Sequence, residues 1–251
     1  VYYFFNDTAT TCIYSLSLHD ALPIYGATAL AWVERLRAEV GLFKVGKQLF
    51  TSAGPELVRR IVLNGGQVFL DLKYHDIPNT VAKAAIEALR LGVSMLNVHA
   101  LGGMTMMQTM SAQVRQIAAA EGRPCPLLLA VTILTSALQA DLQAVGIDRP
   151  VTEMVVRLAQ LAQAAGLDGV VASAQEAPLI RQACGPDFVI VTPGVRPVAS
   201  AVDDQQRIMT PAAALAAGAD YLVVGRPVAT ASDPVRAARA IVTEMASSAS
   251  A

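Results

Sequence analysis

The stretch DLKYHDIPNT, Asp71 to Thr80, gathers two carboxylates, an ammonium and an imidazole in a chain that is only 16% charged. The apolar VFL before it reads as the body of a buried strand. Alternate residues of a strand share a face, so Phe69, Asp71 and Lys73 point the same way, with the charged pair at the C-terminal end. Lys44, in LFKVG, sits on the preceding strand-like run, and neighbouring parallel strands lie about 4.8 Å apart. Lys44, Asp71 and Lys73 therefore read as a contiguous row of alternating sign. Ionisable groups pressed together in this way mark a candidate functional site. The plain alternative is a buried ion-pair network that sets strand register and adds little stability. Asp76 lies past the strand, where it is either a further member of the site or a helix-start residue, with Asn79 or Thr80 as N-cap. His75 is assigned no chemistry.

Two more places suit an anion. TPGVRP puts Gly194 and Arg196 after one late strand, and VVGRPV puts Gly225 and Arg226 after the last. Glycine lets backbone N–H groups approach a phosphate, and arginine offers a fork of donors. Either pair alone reads equally as a turn with a solvated charge. Two in succession, after the final two strands, fit the phosphate site that recurs in barrels of alternating strands and helices.

These residues need a scaffold, and the chain from Ala27 onward supplies an alternation. Short β-branched runs (LFKVG, QVFLDLK, SMLNVHA, PLLLAVTIL, LDGVVAS, FVIVTPG, YLVVG) are each followed by a stretch of helical periodicity, and TALAWVERLRAEV leads as a helix. Near-continuous apolar strands fit a parallel sheet covered on both faces. Candidate residues stand at the ends of several strands, which favours a (β/α)8 TIM barrel over a doubly wound sheet with one switch point. No GxGxxG follows any strand. Seven strands are one short of a closed barrel, and the missing one would precede TALAWVERLRAEV.

The segment there is out of character. Residues 1–25 hold four of the six tyrosines and no Lys, Arg or Glu. They lack the basic start and apolar block of a secretory signal. Residues 1–24 resemble the in-frame translation of a synthetic sequencing adapter, so they are set apart as non-native in appearance. Residues 25–251 are expected to form a single catalytic barrel whose first strand is lost or replaced. Asp20, in HDALPI, has no credible motif around it.

Composition narrows the rest. The chain is 54% hydrophobic over 251 residues with a net charge of -1, enough to bury a large core and without the basic excess of a nucleic-acid binder. Cys12, Cys125 and Cys184 are odd in number and widely spaced, which supports neither a disulfide framework nor a zinc site. No apolar run reaches the roughly 18–20 residues of a membrane span.

From about Ala27 to the last helix the chain resembles the bacterial-type orotidine 5′-phosphate decarboxylase family. FKVGKQLF, FLDLKYHDIPNTV, NVHALGG, AVTILTS, LDGVVASAQEA, VTPGVRP, DQQRIMTP and YLVVGRPV look like its signatures and follow its order. The resemblance implies decarboxylation of orotidine 5′-monophosphate to uridine 5′-monophosphate in pyrimidine biosynthesis, by a cytoplasmic homodimer with shared active sites and with no metal or organic cofactor. It also implies roles. Lys44, Asp71, Lys73 and Asp76 would form a catalytic tetrad, with Lys73 the proton donor and Asp76 supplied by the partner subunit. Thr80 would reach across as well. Thr135 and Ser136 would lie near pyrimidine and ribose, and Arg196, Gln205, Gly225 and Arg226 would hold the phosphate. The family's first strand carries an Asp that binds ribose hydroxyls, and no residue here takes that role. Two rivals remain at this level: a sister barrel with a D-x-K-x-x-D motif acting on sugar phosphates with Mg²⁺, such as a 3-keto-hexulose-phosphate synthase, and a non-catalytic nucleotide binder.

Overall fold

Helix and strand alternate through the chain because two hydrophobic periods alternate in it. A computed structural model gives their arrangement and describes residues 13–17, 26–196 and 209–248. Eight parallel strands close into a barrel in sequence order: β1 (Ile13–Ser17), β2 (Leu42–Gly46), β3 (Val68–Tyr74), β4 (Met95–His99), β5 (Leu127–Val131), β6 (Gly169–Val171), β7 (Val189–Pro193) and β8 (Tyr221–Val224). The first strand position, read from sequence as lost or replaced, is filled by Ile13–Ser17. It pairs with both β2 and β8, so the sheet has no open edge. Asp20 lies outside the described residues.

From β2 to β8 the period-2 rule sorts the strands into two faces. Leu42, Phe69, Met95, Leu129, Val131, Val171, Val191 and Val223 point inward and fill the barrel. Their neighbours, among them Phe43, Leu70, Leu96, Leu128, Val170, Ile190 and Leu222, point outward into a second, larger core under the helices. Burying a side chain of this size contributes about 1.5–3 kcal/mol, so the barrel stands on both layers. At Gly169 the packing leaves no room for a side chain: a Cβ there would sit 2.1 Å from the Val189 carbonyl oxygen.

The covering helices are α1 (Gly26–Leu36), α2 (Lys47–Leu63), α3 (Pro78–Arg90), α4 (Gly103–Ala120), α5 (Gln139–Ala144), α6 (Val151–Ala164), α7 (Ala177–Cys184), α8 (Pro211–Ala216), α9 (Arg226–Ala229) and α10 (Pro234–Ser248). α2 runs through the Gly54-Pro55 pair. Gly54, at φ 70°, breaks it there into two pieces. α3 is capped differently from the sequence expectation. Ile77 is its N-cap, with Pro78 at the first helical position, where a missing N–H costs nothing. Asn79 and Thr80 lie inside the helix. Among the described residues no helix is long and apolar enough to cross a membrane.

Candidate active site

Inward positions toward the C-terminal ends of β2 and β3 carry charges: Lys44 on β2, and Asp71 and Lys73 on β3. Asp71 is buried, and its two oxygens meet two ammoniums: Lys44 Nζ at 3.0 Å from Oδ2 and Lys73 Nζ at 2.6 Å from Oδ1. The row read from the sequence thus exists as direct ion pairs. Burial pushes the Asp71 pKa up, but the charges of Lys44 and Lys73, with hydrogen bonds from Lys73 and Asn97, overcome it and hold the carboxyl well below the usual range. Lys44 is almost wholly buried, whereas Lys73 leaves 25% of its side-chain surface open. Lys73 is therefore the more open of the two ammoniums paired with Asp71.

β3 is not a regular strand here. Leu70 pairs with Leu96 and Tyr74 with Val98, so the register to β4 shifts across Asp71–Lys73. Lys73 has φ 51°, the sole positive value for a non-glycine residue among those described. Its backbone N–H donates to Asn97 Oδ1 at 2.8 Å, and Asn97 Nδ2 donates to Asp71 Oδ1 at 2.7 Å. Sequence reading gave Asn97 no role. Its signal was a polar residue at an inward position of an apolar strand, which must find partners once buried.

These groups open into a cavity of about 440 Å³ at the barrel mouth, lined also by Lys47, Gln48, Phe69, Ile133, Thr135, Gly194, Arg196, Gly225 and Arg226. The size suits a small ligand. Among the described lining residues, Lys44, Lys47, Lys73, Arg196 and Arg226 face a single carboxylate, Asp71, which favours a multiply charged anion. In a closed ring of eight, β7 lies directly across from β3. Arg196 follows β7 and Arg226 follows β8, which places the guanidinium groups across the mouth from the Lys-Asp-Lys row.

Of the remaining expected residues, Thr135 lines the cavity and Ser136 is exposed in the same turn. Asp76 and Thr80 are exposed and outside the lining. The Asp76 carboxylate accepts the Ile77 N–H at 2.6 Å and has no ion pair among the described residues, so within one chain it does not join the row. Gln205 lies outside the described residues. His99, half-buried at the end of β4, stacks obliquely near His75 with ring centroids 5.6 Å apart. Burial, then the charges of His75, Lys47 and Lys73, push its pKa down to about 4, with Asp71 opposing. Among the described residues no three His, Cys, Asp or Glu side chains gather so as to hold a metal ion.

Comparison with known proteins places this geometry. The model of the "Orotidine 5′-phosphate decarboxylase / HUMPS family" matches residues 10–241. An orotidine 5′-phosphate decarboxylase of Syntrophotalea carbinolica is 66% identical over 221 residues, 88% of this chain and 91% of that protein. One from Geotalea uraniireducens is 57% identical over 96% of this chain and 97% of its own length. Among solved structures, an orotidine 5′-phosphate decarboxylase from Lactobacillus acidophilus superposes with a TM-score of 0.78 at 35% identity, covering 93% of this chain and 99% of that one.

Proposed function

The chain belongs to the orotidine 5′-phosphate decarboxylase / HUMPS family, and on that premise we infer that it is a carboxy-lyase converting orotidine 5′-monophosphate to uridine 5′-monophosphate in pyrimidine biosynthesis. The observation that carries the reading is the Lys44–Asp71–Lys73 row at 3.0 and 2.6 Å, opening into a cavity with two arginines on its far side.

The substrate's two anionic ends match the two sides of the mouth. The phosphate goes to Arg196 and Arg226, with Gly225 leaving room for its oxygens to approach the backbone. Thr135 and Ser136 contact pyrimidine and ribose. Gln205 bridges phosphate and base, an assignment that rests on its sequence position. The C6 carboxylate then faces Asp71, whose depressed pKa keeps it ionised beside a second negative charge. Breaking the C6–carboxylate bond releases neutral CO₂ and leaves the electron pair on C6. That charge forms next to the Lys73 ammonium, which is better placed for the carbanion than for the ground state. Lys73 gives its proton to C6, becomes a neutral amine, and recovers a proton from solvent through its open surface. Lys44 stays behind Asp71 and keeps the row charged. The arrangement needs no metal or organic cofactor for this step.

The same reading makes the protein a homodimer that shares its sites. Asp76 and Thr80 are exposed just past β3, and the neighbouring Ile77 and Leu101 leave apolar side chains exposed, as a face covered by a second copy would. In that dimer Asp76 and Thr80 complete the partner's mouth. The catalytic barrel comprises residues 25–251 together with the strand Ile13–Ser17 that precedes them, and it acts in the cytoplasm without nucleic-acid or membrane partners.

The test is turnover of orotidine 5′-monophosphate by the purified chain, followed by pyrimidine absorbance and CO₂ release. In D₂O the new C6–H bond should carry solvent deuterium. An inert protein that instead turns over a pentulose phosphate with Mg²⁺, or one that binds uridine 5′-monophosphate without releasing CO₂, would overturn the reading.

A further inference from the structure

Three residues of β3 stand against one of β4. Between the pairs Leu70–Leu96 and Tyr74–Val98 lie Asp71, Leu72 and Lys73 on one side and Asn97 alone on the other. A parallel ladder cannot stay paired across such an excess, so Lys73 is left to find another acceptor for its N–H. Asn97, with no exposed surface, closes the gap: its Oδ1 accepts the Lys73 N–H at 2.8 Å while its Nδ2 donates to Asp71 Oδ1 at 2.7 Å. The two partners fix which way the amide points. Turned over, it would set an oxygen against the carboxylate and an NH₂ against the N–H. The oxygen that Asn97 holds is the same one that Lys73 Nζ meets at 2.6 Å.

One carboxamide thus grips the proton donor by its backbone and the neighbouring anion by its side chain. The grip has work to do, because a non-glycine residue in the left-handed region carries a strain of about 1–2 kcal/mol. Asn97 is also absent from the cavity lining, so a bound molecule does not touch it. We propose that Asn97 is a positioning residue of the decarboxylation: it fixes Lys73 in its bulged conformation and sets the rotation of the Asp71 carboxylate, so that ammonium and carboxylate present to C6 in one geometry. The proposal rests on the decarboxylase reading and adds to it a residue that acts from behind.

The experiment compares Asn97→Ala, the isosteric Asn97→Asp, Lys73→Ala, and Asn97→Ala combined with Lys73→Ala, scoring kcat, KM and uridine 5′-monophosphate affinity. Misplacing a reacting group by about 1 Å can cost roughly 10²-fold. A fall of that order in kcat is expected for Asn97→Ala, with KM and product affinity near those of the wild type. With Lys73 already gone, the same change should cost almost nothing in single-turnover assays. Asn97→Asp keeps an acceptor for the Lys73 N–H but sets a second carboxylate against Asp71, which also faces Lys44 from β2, Lys73 on β3 and His99 from β4. The two carboxyls then compete to ionise, and kcat/KM should gain an acid limb beyond any that the wild type shows. Because this variant preserves shape, it keeps the test open should the alanine variant fail to fold. An unchanged kcat in Asn97→Ala, an equal loss with and without Lys73, or an Asn97→Asp profile parallel to that of the wild type overturns the proposal while leaving the decarboxylase reading intact. A wild type inert toward orotidine 5′-monophosphate defeats both.

Discussion

Lys44 reaches Asp71 from one pleat below it. In the β2–β3 ladder Lys44 pairs with Phe69, while Asp71 pairs with Gly46, yet Lys44 Nζ lies 3.0 Å from Asp71 Oδ2. The four-carbon stem climbs the inside of the barrel to close that offset, with the side chain almost wholly buried. A shared level for the two residues, as neighbouring strands suggest, is therefore replaced by an offset that the length of lysine fits.

Lys44→Met tests the pair by keeping the stem and removing the charge. A buried charge stripped of its partner costs about 3–5 kcal/mol. Here Lys73 still neutralises Asp71, so a loss nearer about 2 kcal/mol is expected in urea unfolding at pH 7. The sign with pH follows from the depressed Asp71 pKa. Its contribution is whole above the unfolded value near 3.8 and is lost as pH falls toward the folded one. Without Lys44 the folded pKa rises, that contribution shrinks, and acid unfolding should begin at higher pH. An acid midpoint identical to that of the wild type would reject the pair as an electrostatic unit.

Lys73 offers two separable tests. Lys73→Ala should lower kcat by at least the roughly 10²–10³-fold typical of losing one transition-state charge partner, with the barrel intact by circular dichroism. Near-normal turnover would remove Lys73 as donor. The left-handed φ of 51° gives the second. Lys73→Gly loses the same ammonium but relieves the backbone, so it should be about 1 kcal/mol more stable than Lys73→Ala. Equal stabilities would mean that the bulge relaxes when the side chain is gone.

Shared sites predict rescue by mixing. A Lys73→Ala chain still offers Asp76, and an Asp76→Ala chain still offers Lys73. In a two-fold dimer formed from equal amounts, half the dimers are mixed, and each holds one intact site. About a quarter of wild-type activity should return from two inactive preparations. No recovery in verified mixed dimers would place Asp76 outside the site.

What the sequence made legible was what a period dictates. Seven strands and the inward row at Lys44, Asp71 and Lys73 follow from alternation, and the anion-binding turns after β7 and β8 follow from Gly-Arg pairs. Asn97 stayed hidden because its importance comes from an irregularity, two surplus residues in β3, that no period encodes. The first strand was missed for another reason. IYSLS carries weak apolar alternation and sits in a segment of foreign composition, and its place comes from the two strand edges that β2 and β8 present to it. The N-cap of α3 went to Ile77 because Pro78 at the first helical position outweighs the side-chain preference of Asn79 or Thr80.

His99 sets a pH window for stability distinct from that of the carboxylates. It is half-buried at the end of β4, faced by His75 and Lys73 from β3 and its loop, by Lys47 from α2 and by Asp71. Burial is the largest cause of the drop in its pKa from 6.5 to about 4, and the nearby cations add to it. A histidine whose folded pKa lies below its unfolded one contributes stability that is whole above pH 6.5. Between pH 6.5 and 4 the unfolded chain binds a proton that the folded chain refuses, so unfolding becomes easier as pH falls through that range. Urea unfolding at half-unit steps should therefore show a slope in that window and a plateau above it, up to the onset of other titrations. His99→Gln removes the group that titrates there and should flatten the slope. Glu39 and Glu121, whose pKa values are lowered from 4.5 by arginine partners, add to the slope only at the acid end of that window. A slope unchanged by His99→Gln would assign the pH response to other groups.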